Sequence, residues 1–60
     1  MSLNLKPNIA RPDDFYEMLT DAQRDMTDDE ANDMNARLVL VLANQIGNFE
    51  DLKQAIDIAK

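Results

Sequence analysis

The chain has 60 residues, 45% of them hydrophobic, with 12 acidic and 6 basic side chains and neither histidine nor cysteine. Disulfides are therefore excluded, and without Cys or His a structural zinc site is excluded too. The net charge is −6, and Lys6, Arg11, Arg24, Arg37, Lys53 and Lys60 are scattered, so no basic face is offered to a nucleic-acid backbone.

Residues 1–11 read as an N-terminal arm. Pro7 and Pro12 bracket it, and each disfavours helix in the residue before it. Leu3, Leu5 and Ile9 fall on odd positions, a weak alternation that suits an extended segment laid across a neighbouring surface, or else a frayed terminus.

The first helix is predicted over 12–25. Pro12 suits the first helical position, where its missing N–H costs nothing. Asp13, Asp14 and Glu17 follow in the first turns, which the helix dipole favours. Phe15, Met18, Leu19, Ala22 and Met26 form one apolar stripe, with Tyr16 at its edge.

The second helix, 28–46, has the strongest start signal. Thr27-Asp28-Asp29-Glu30 is a capping box, with Met26 and Ala31 in the staple positions, and Gly47 supplies the left-handed residue that ends the helix. Asp33 and Arg37 are spaced for a surface ion pair. Leu38–Leu42 also has the composition of a buried strand, but it lacks turn residues before it. The helical series Ala31, Met34, Leu38, Val41, Leu42 runs through it.

The third helix is predicted over 49–60. Asn48 is its cap, Asp51 stands at the capping-box position, and Phe49, Leu52, Ile56 and Ala59 make one stripe. Joined through Gly47-Asn48, the second and third helices form a helical hairpin. The expected fold is all-α: this hairpin plus an N-terminal helix and an extended arm, in a single domain completed by dimerisation.

The reason for expecting a partner is the second helix. At about 100° per residue, Ala31, Met34, Leu38, Val41 and Leu42 cluster on one side. Ala36, Val39, Ala43 and Ile46 cluster on another, with Leu40 at its margin. Only Asp33, Arg37 and Asn44 make a polar stripe. A helix apolar over most of its girth must be buried over most of it. The other two helices own one stripe each and together can cover one side; the alternative is a tight three-helix arrangement in which they and the arm cover everything. A chain this small buries only about 60% of its unfolded surface, and without disulfide or metal, association is the remaining support. The candidate interface is Met34, Asn35, Leu38, Val39, Leu42, Ala43 and Ile46. Asn35 and Gln45 lie inside the apolar arc, and one of them is a candidate for a register-fixing polar contact, the alternative being a partly exposed amide near a helix end. A two-fold homodimer is the commonest closed arrangement, with docking on a larger protein as the alternative.

Other chemistry lacks materials. The single serine, Ser2, lies in the arm, so no nucleophilic constellation and no acyl-carrier serine at a helix start is present. The first proline, Pro7, is internal, which removes a proline-amine tautomerase. Asp28, Asp29, Glu30 and Asp33 invite a calcium reading, but the loop pattern and its glycine are missing, and capping explains them. One glycine cannot make a phosphate loop. A third helix carrying Glu50, Asp51 and Asp57 has the wrong field for a DNA groove. No catalytic, cofactor or metal site is assigned. The longest apolar run, Leu38–Ala43, is six residues, far short of a membrane span. With no apolar leader segment either, a cytoplasmic protein is expected.

Pro12-Asp13-Asp14-Phe15-Tyr16, Asn35-Ala36-Arg37-Leu38 and Leu42-Ala43-Asn44-Gln45-Ile46-Gly47 resemble a family of short bacterial proteins catalogued as a domain of unknown function. The resemblance covers about residues 7–59. Its motifs are a helix start, a helix centre and a helix stop, so it brings no activity and no site residues. As a partner class it implies at most the flavin-dependent oxygenases of aromatic breakdown. The expected role is a non-enzymatic protein–protein interaction module. The alternatives are an acidic regulator of a basic partner and a ligand-binding protein with an inter-chain pocket built from Tyr16, Arg37 or the Asp28 cluster.

Overall fold

Each helix begins where the side chains supply a start. A computed structural model describes residues 3–60, so Met1 and the serine at position 2 lie outside the described residues. It shows three helices, α1 (Pro12–Ala22), α2 (Asp28–Ile46) and α3 (Phe49–Ala59), and no strand among the described residues. The strand alternative for Leu38–Leu42 is therefore set aside, since that run lies inside α2.

α1 opens with Pro12 and the acidic pair Asp13 and Asp14, and Arg11 donates from Nε to Asp14 Oδ2 at 2.7 Å. It stops at Ala22, three residues short of the predicted Asp25. The Thr20 hydroxyl donates to the carbonyls of Tyr16 (3.1 Å) and Glu17 (3.0 Å). Beyond it, Gln23, Arg24 and Met26 donate to carbonyls three residues back, at 3.1–3.3 Å, so the chain tightens into turns. The reason lies in the residues. Thr20 bonds to the backbone, no basic residue occupies the last turn, and Asp21 and Asp25 oppose the dipole there.

α2 is closed at both ends by its own sequence. The Glu30 N–H donates to Thr27 Oγ1 at 3.2 Å, and the Thr27 N–H donates to Glu30 Oε1 at 2.9 Å, so both halves of the capping box form. At the far end Gly47 has φ +75°, and its N–H donates to the Ala43 carbonyl at 2.9 Å. A side chain at 47 would meet only Asn44 O, at 3.9 Å, so the dihedral rather than space selects glycine.

α3 receives half of its predicted cap. The Asp51 N–H donates to Asn48 Oδ1 at 2.9 Å, but no return bond from Asp51 to the Asn48 N–H forms. Aspartate is one methylene shorter than the glutamate of the Thr27 box. The Asp51 side chain turns inward instead. It is 8% exposed, and its Oδ1 has no hydrogen-bond partner.

Residues 3–11 form neither helix nor strand. The Lys6 N–H donates to Asn4 Oδ1 at 3.0 Å, a local turn that interrupts the alternation read from Leu3, Leu5 and Ile9. Leu5 and Ile9 are exposed and Leu3 is partly buried.

Packing is sparse. Among the described residues, α2 and α3 are the one pair of helices whose backbones come close. α1 reaches α2 through its C-terminal extension, where Gln23 Nε2 donates to Asn35 Oδ1 at 2.7 Å and lies 3.7 Å from Met34 Sδ. No apolar side chain of the described residues is buried. The surface is 5578 Å², about 1,600 Å² more than a compact protein of 6.8 kDa exposes. The radius of gyration, 13.3 Å, likewise exceeds the roughly 10 Å of a compact 60-residue domain.

Candidate association surface

α2 is the scaffold on which this surface is arranged. Ala31, Met34 and Leu38 are partly buried on one flank, the side that Gln23 reaches, where Leu19 and Gln23 are partly buried too. Ala43 is partly buried on the other flank, toward α3. The buried side of α3 comprises Asn48, Asp51, Leu52 and Ala55. This differs from the predicted stripe, of which only Leu52 is covered. Phe49 and Ile56 stand outside, because the hairpin turns α3 about its axis so that Asp51 and Ala55 face inward.

Between the two flanks of α2 lies an open strip of Asn35, Val39, Leu42 and Ile46, all exposed. Their spacing is four, three and four residues, the alternation of a coiled-coil seam. The β-branched Val39 and Ile46 occupy one seam position, and Leu42 and Asn35 the other. Of the seven predicted interface residues, these four are on the open strip. Met34, Leu38 and Ala43 form its partly covered edges. The amide oxygen of Asn35 is already engaged by Gln23 within the chain. The four-three-four spacing was present in the sequence, whereas the exposure of Phe49 and Ile56 had no local signal, since it depends on how α3 turns against α2.

The polar groups do not converge. Arg37 makes no ion pair with Asp33. The ion pairs among the described residues are Arg11–Asp14 (2.7 Å), Arg24–Asp21 and Lys60–Asp57 (3.6 Å), all three residues apart and solvent-exposed. Such pairs contribute little, and solvent readily replaces a fourth. A shallow apolar depression is lined by Ile9, Ala10, Phe15 and Met18 and rimmed by Arg11 and Asp14. A second is lined by Arg11, Asp14, Glu17, Met18 and Asp21. Tyr16, Arg37 and Asp28 line neither. The acidic start of α2 is engaged in capping. The Thr27 N–H first, and then its hydroxyl, hold the Glu30 carboxyl below its ordinary value. No helix is long and apolar enough to cross a membrane among the described residues.

The chain belongs to a family of proteins of unknown function, DUF2783, whose model matches residues 3–60. No curated protein and no solved structure matches it.

Proposed function

We propose that this protein is a non-enzymatic helical association module, a bacterial cytoplasmic homodimer or small accessory subunit that completes its fold against another chain. The observation that carries this is the missing interior: among the described residues no apolar side chain is buried, while Val39, Leu40, Val41, Leu42, Ile46 and Phe49 are exposed. Surplus apolar surface on this scale marks an interaction site rather than ordinary surface scatter. Helix length supports it. α1 and α3 have 11 residues each, too short to persist in water without packing.

Two other readings draw less support. An acidic regulator needs one contiguous acidic face, but Asp13 and Asp14, Asp28 to Glu30, and Glu50 and Asp51 sit at three separate helix starts. An inter-chain ligand pocket needs converging polar groups, and Tyr16, Arg37 and Asp28 line neither surface depression.

Light scattering and thermal melting across the micromolar range test the proposal. The expected result is a mass above one chain and a melting temperature that rises with concentration. A monomer that melts cooperatively at a concentration-independent temperature would remove it.

A further inference from the structure

We infer that the strip Asn35, Val39, Leu42, Ile46 is covered by a second copy of this chain, with the two α2 helices antiparallel about a two-fold axis between Val39 and Leu42. This rests on the association reading above and names the partner and its orientation.

Four observations carry it. The four-three-four spacing is that of a helix seam, so its natural complement is another helix. Asp28 and Asn32 occupy the seam positions further toward the N-terminus, so the apolar seam is confined to residues 35–46. That segment overlaps itself fully when reversed about its centre. Exposed surface is available for it: each chain exposes about 1,600 Å² beyond a compact protein of its mass, and within the strip Val39, Leu42 and Ile46 are 62%, 47% and 53% exposed.

Charge sets the direction. Every charged side chain of α2 lies in its first ten residues: Asp28, Asp29, Glu30, Asp33 and Arg37. Leu38–Ile46 carries none. A parallel pair sets four acids against the same four. An antiparallel pair in this register carries the two acidic starts to opposite ends of the seam, each Asp28 about 10 Å beyond the end of the partner's α2, so the acids do not face each other. The seam holds no charge that a basic partner would read. In this arrangement Val39 packs beside Leu42 of the partner subunit, and Asn35 lies level with Ile46 of the partner subunit. Asn35 needs no donor for its oxygen across the axis, because Gln23 already supplies one.

The absence of native cysteine makes the test clean. Single-cysteine variants Val39→Cys, Leu40→Cys and Asp28→Cys are treated with a short bismaleimide, and the association constant is followed against salt. Val39→Cys, close to the axis, is expected to cross-link. Leu40→Cys, turned away from the seam, is not. Asp28→Cys is not, because antiparallel pairing separates the two positions by about 37 Å along the helix. Two copies of charge −6 repel, so dimerisation is expected to tighten several-fold as salt rises, whereas a basic partner would be released. Efficient cross-linking of Asp28→Cys would overturn the antiparallel dimer and leave the association reading standing. So would a purified chain that stays monomeric and melts without cooperativity. A cooperative, concentration-independent monomer would overturn both.

Discussion

Val39→Asp separates a seam residue from a merely exposed one. Val39 is 62% exposed in the single chain and its neighbour Leu40 is 70% exposed, so in isolation the two sites are equivalent. Valine and aspartate have similar helix propensities, and at an exposed mid-helix site the exchange costs within about 0.5 kcal/mol. If Val39 lies in the seam, the sum changes. Full burial of a valine is worth about 1.5–3 kcal/mol, and covering the exposed part of Val39 gives roughly 1–2 kcal/mol of that on association. The introduced carboxylate, buried without a partner, adds about 2 kcal/mol or more after relaxation. A two-fold axis applies the loss twice, for about 6 kcal/mol per dimer, or roughly four orders of magnitude in the dissociation constant.

Leu40→Asp is the internal control. Leu40 is about 100° further round the helix, next to the polar stripe of Asp33, Arg37 and Asn44. It should leave the dimer intact. Sedimentation equilibrium, with helicity followed by circular dichroism, reads both variants. Val39→Asp should be monomeric at micromolar concentration and lose helix content, and Leu40→Asp should behave as the parent. Equal behaviour of the two, or an unchanged mass and melting temperature for Val39→Asp, would refute the assignment of the seam.

The remaining predictions concern the helix ends. Thr27→Ala removes the acceptor of the Glu30 N–H and should cost about 1 kcal/mol, lowering the melting temperature by roughly 4–8 °C; an unmoved melt would show that the box adds nothing. Gly47→Ala should cost about 1 kcal/mol through its positive φ, with Gly47→Asn costing less. Equal losses would point to a steric cause, which the 3.9 Å clearance argues against. Glu30 titrates below its ordinary value of 4.5 in the folded chain, so its contribution is fully present above that value and is lost as pH falls through the lower folded value. Glu30→Gln keeps the acceptor oxygen and should flatten the acid side of a urea-melt pH series relative to the parent. An identical acid limb would refute the cap's role in acid unfolding.

What was legible in the sequence was what the chain decides locally. The Thr27–Glu30 box, Gly47 and Pro12 each act within a turn of their own position, and they place helix starts and the main helix stop without reference to anything distant. The end of α1 was harder to read, because no single residue stops it. Thr20 and the acidic Asp21 and Asp25 weaken the last turn together. The side of α3 that turns inward was legible only at Leu52. The stripe Phe49, Leu52, Ile56, Ala59 names the apolar face, but the residues covered beside Leu52 are Asp51 and Ala55, a rotation of α3 that no residue of its own stripe encodes. The open strip was partly legible. Its residues were among the interface candidates, while the narrowing to Asn35, Val39, Leu42 and Ile46 needed the positions of the flanking elements.

The same division bears on how folding and association are linked. α2, with 19 residues and both ends closed, is the one helix here long enough to hold together briefly on its own. α1 and α3, with 11 residues each and no buried apolar side chain, gain too little from the single chain to offset the entropy of ordering them. α2 is also the helix that carries the seam. Pairing of two α2 helices would therefore create the first interior the molecule has, edged by Met34 and Leu38 on one side, where Gln23 beyond the end of α1 reaches Met34, and by Ala43 on the other. On this argument the short helices are stabilised by a surface that forms only when two chains meet. Loss of the seam should then melt the whole molecule rather than release two intact halves.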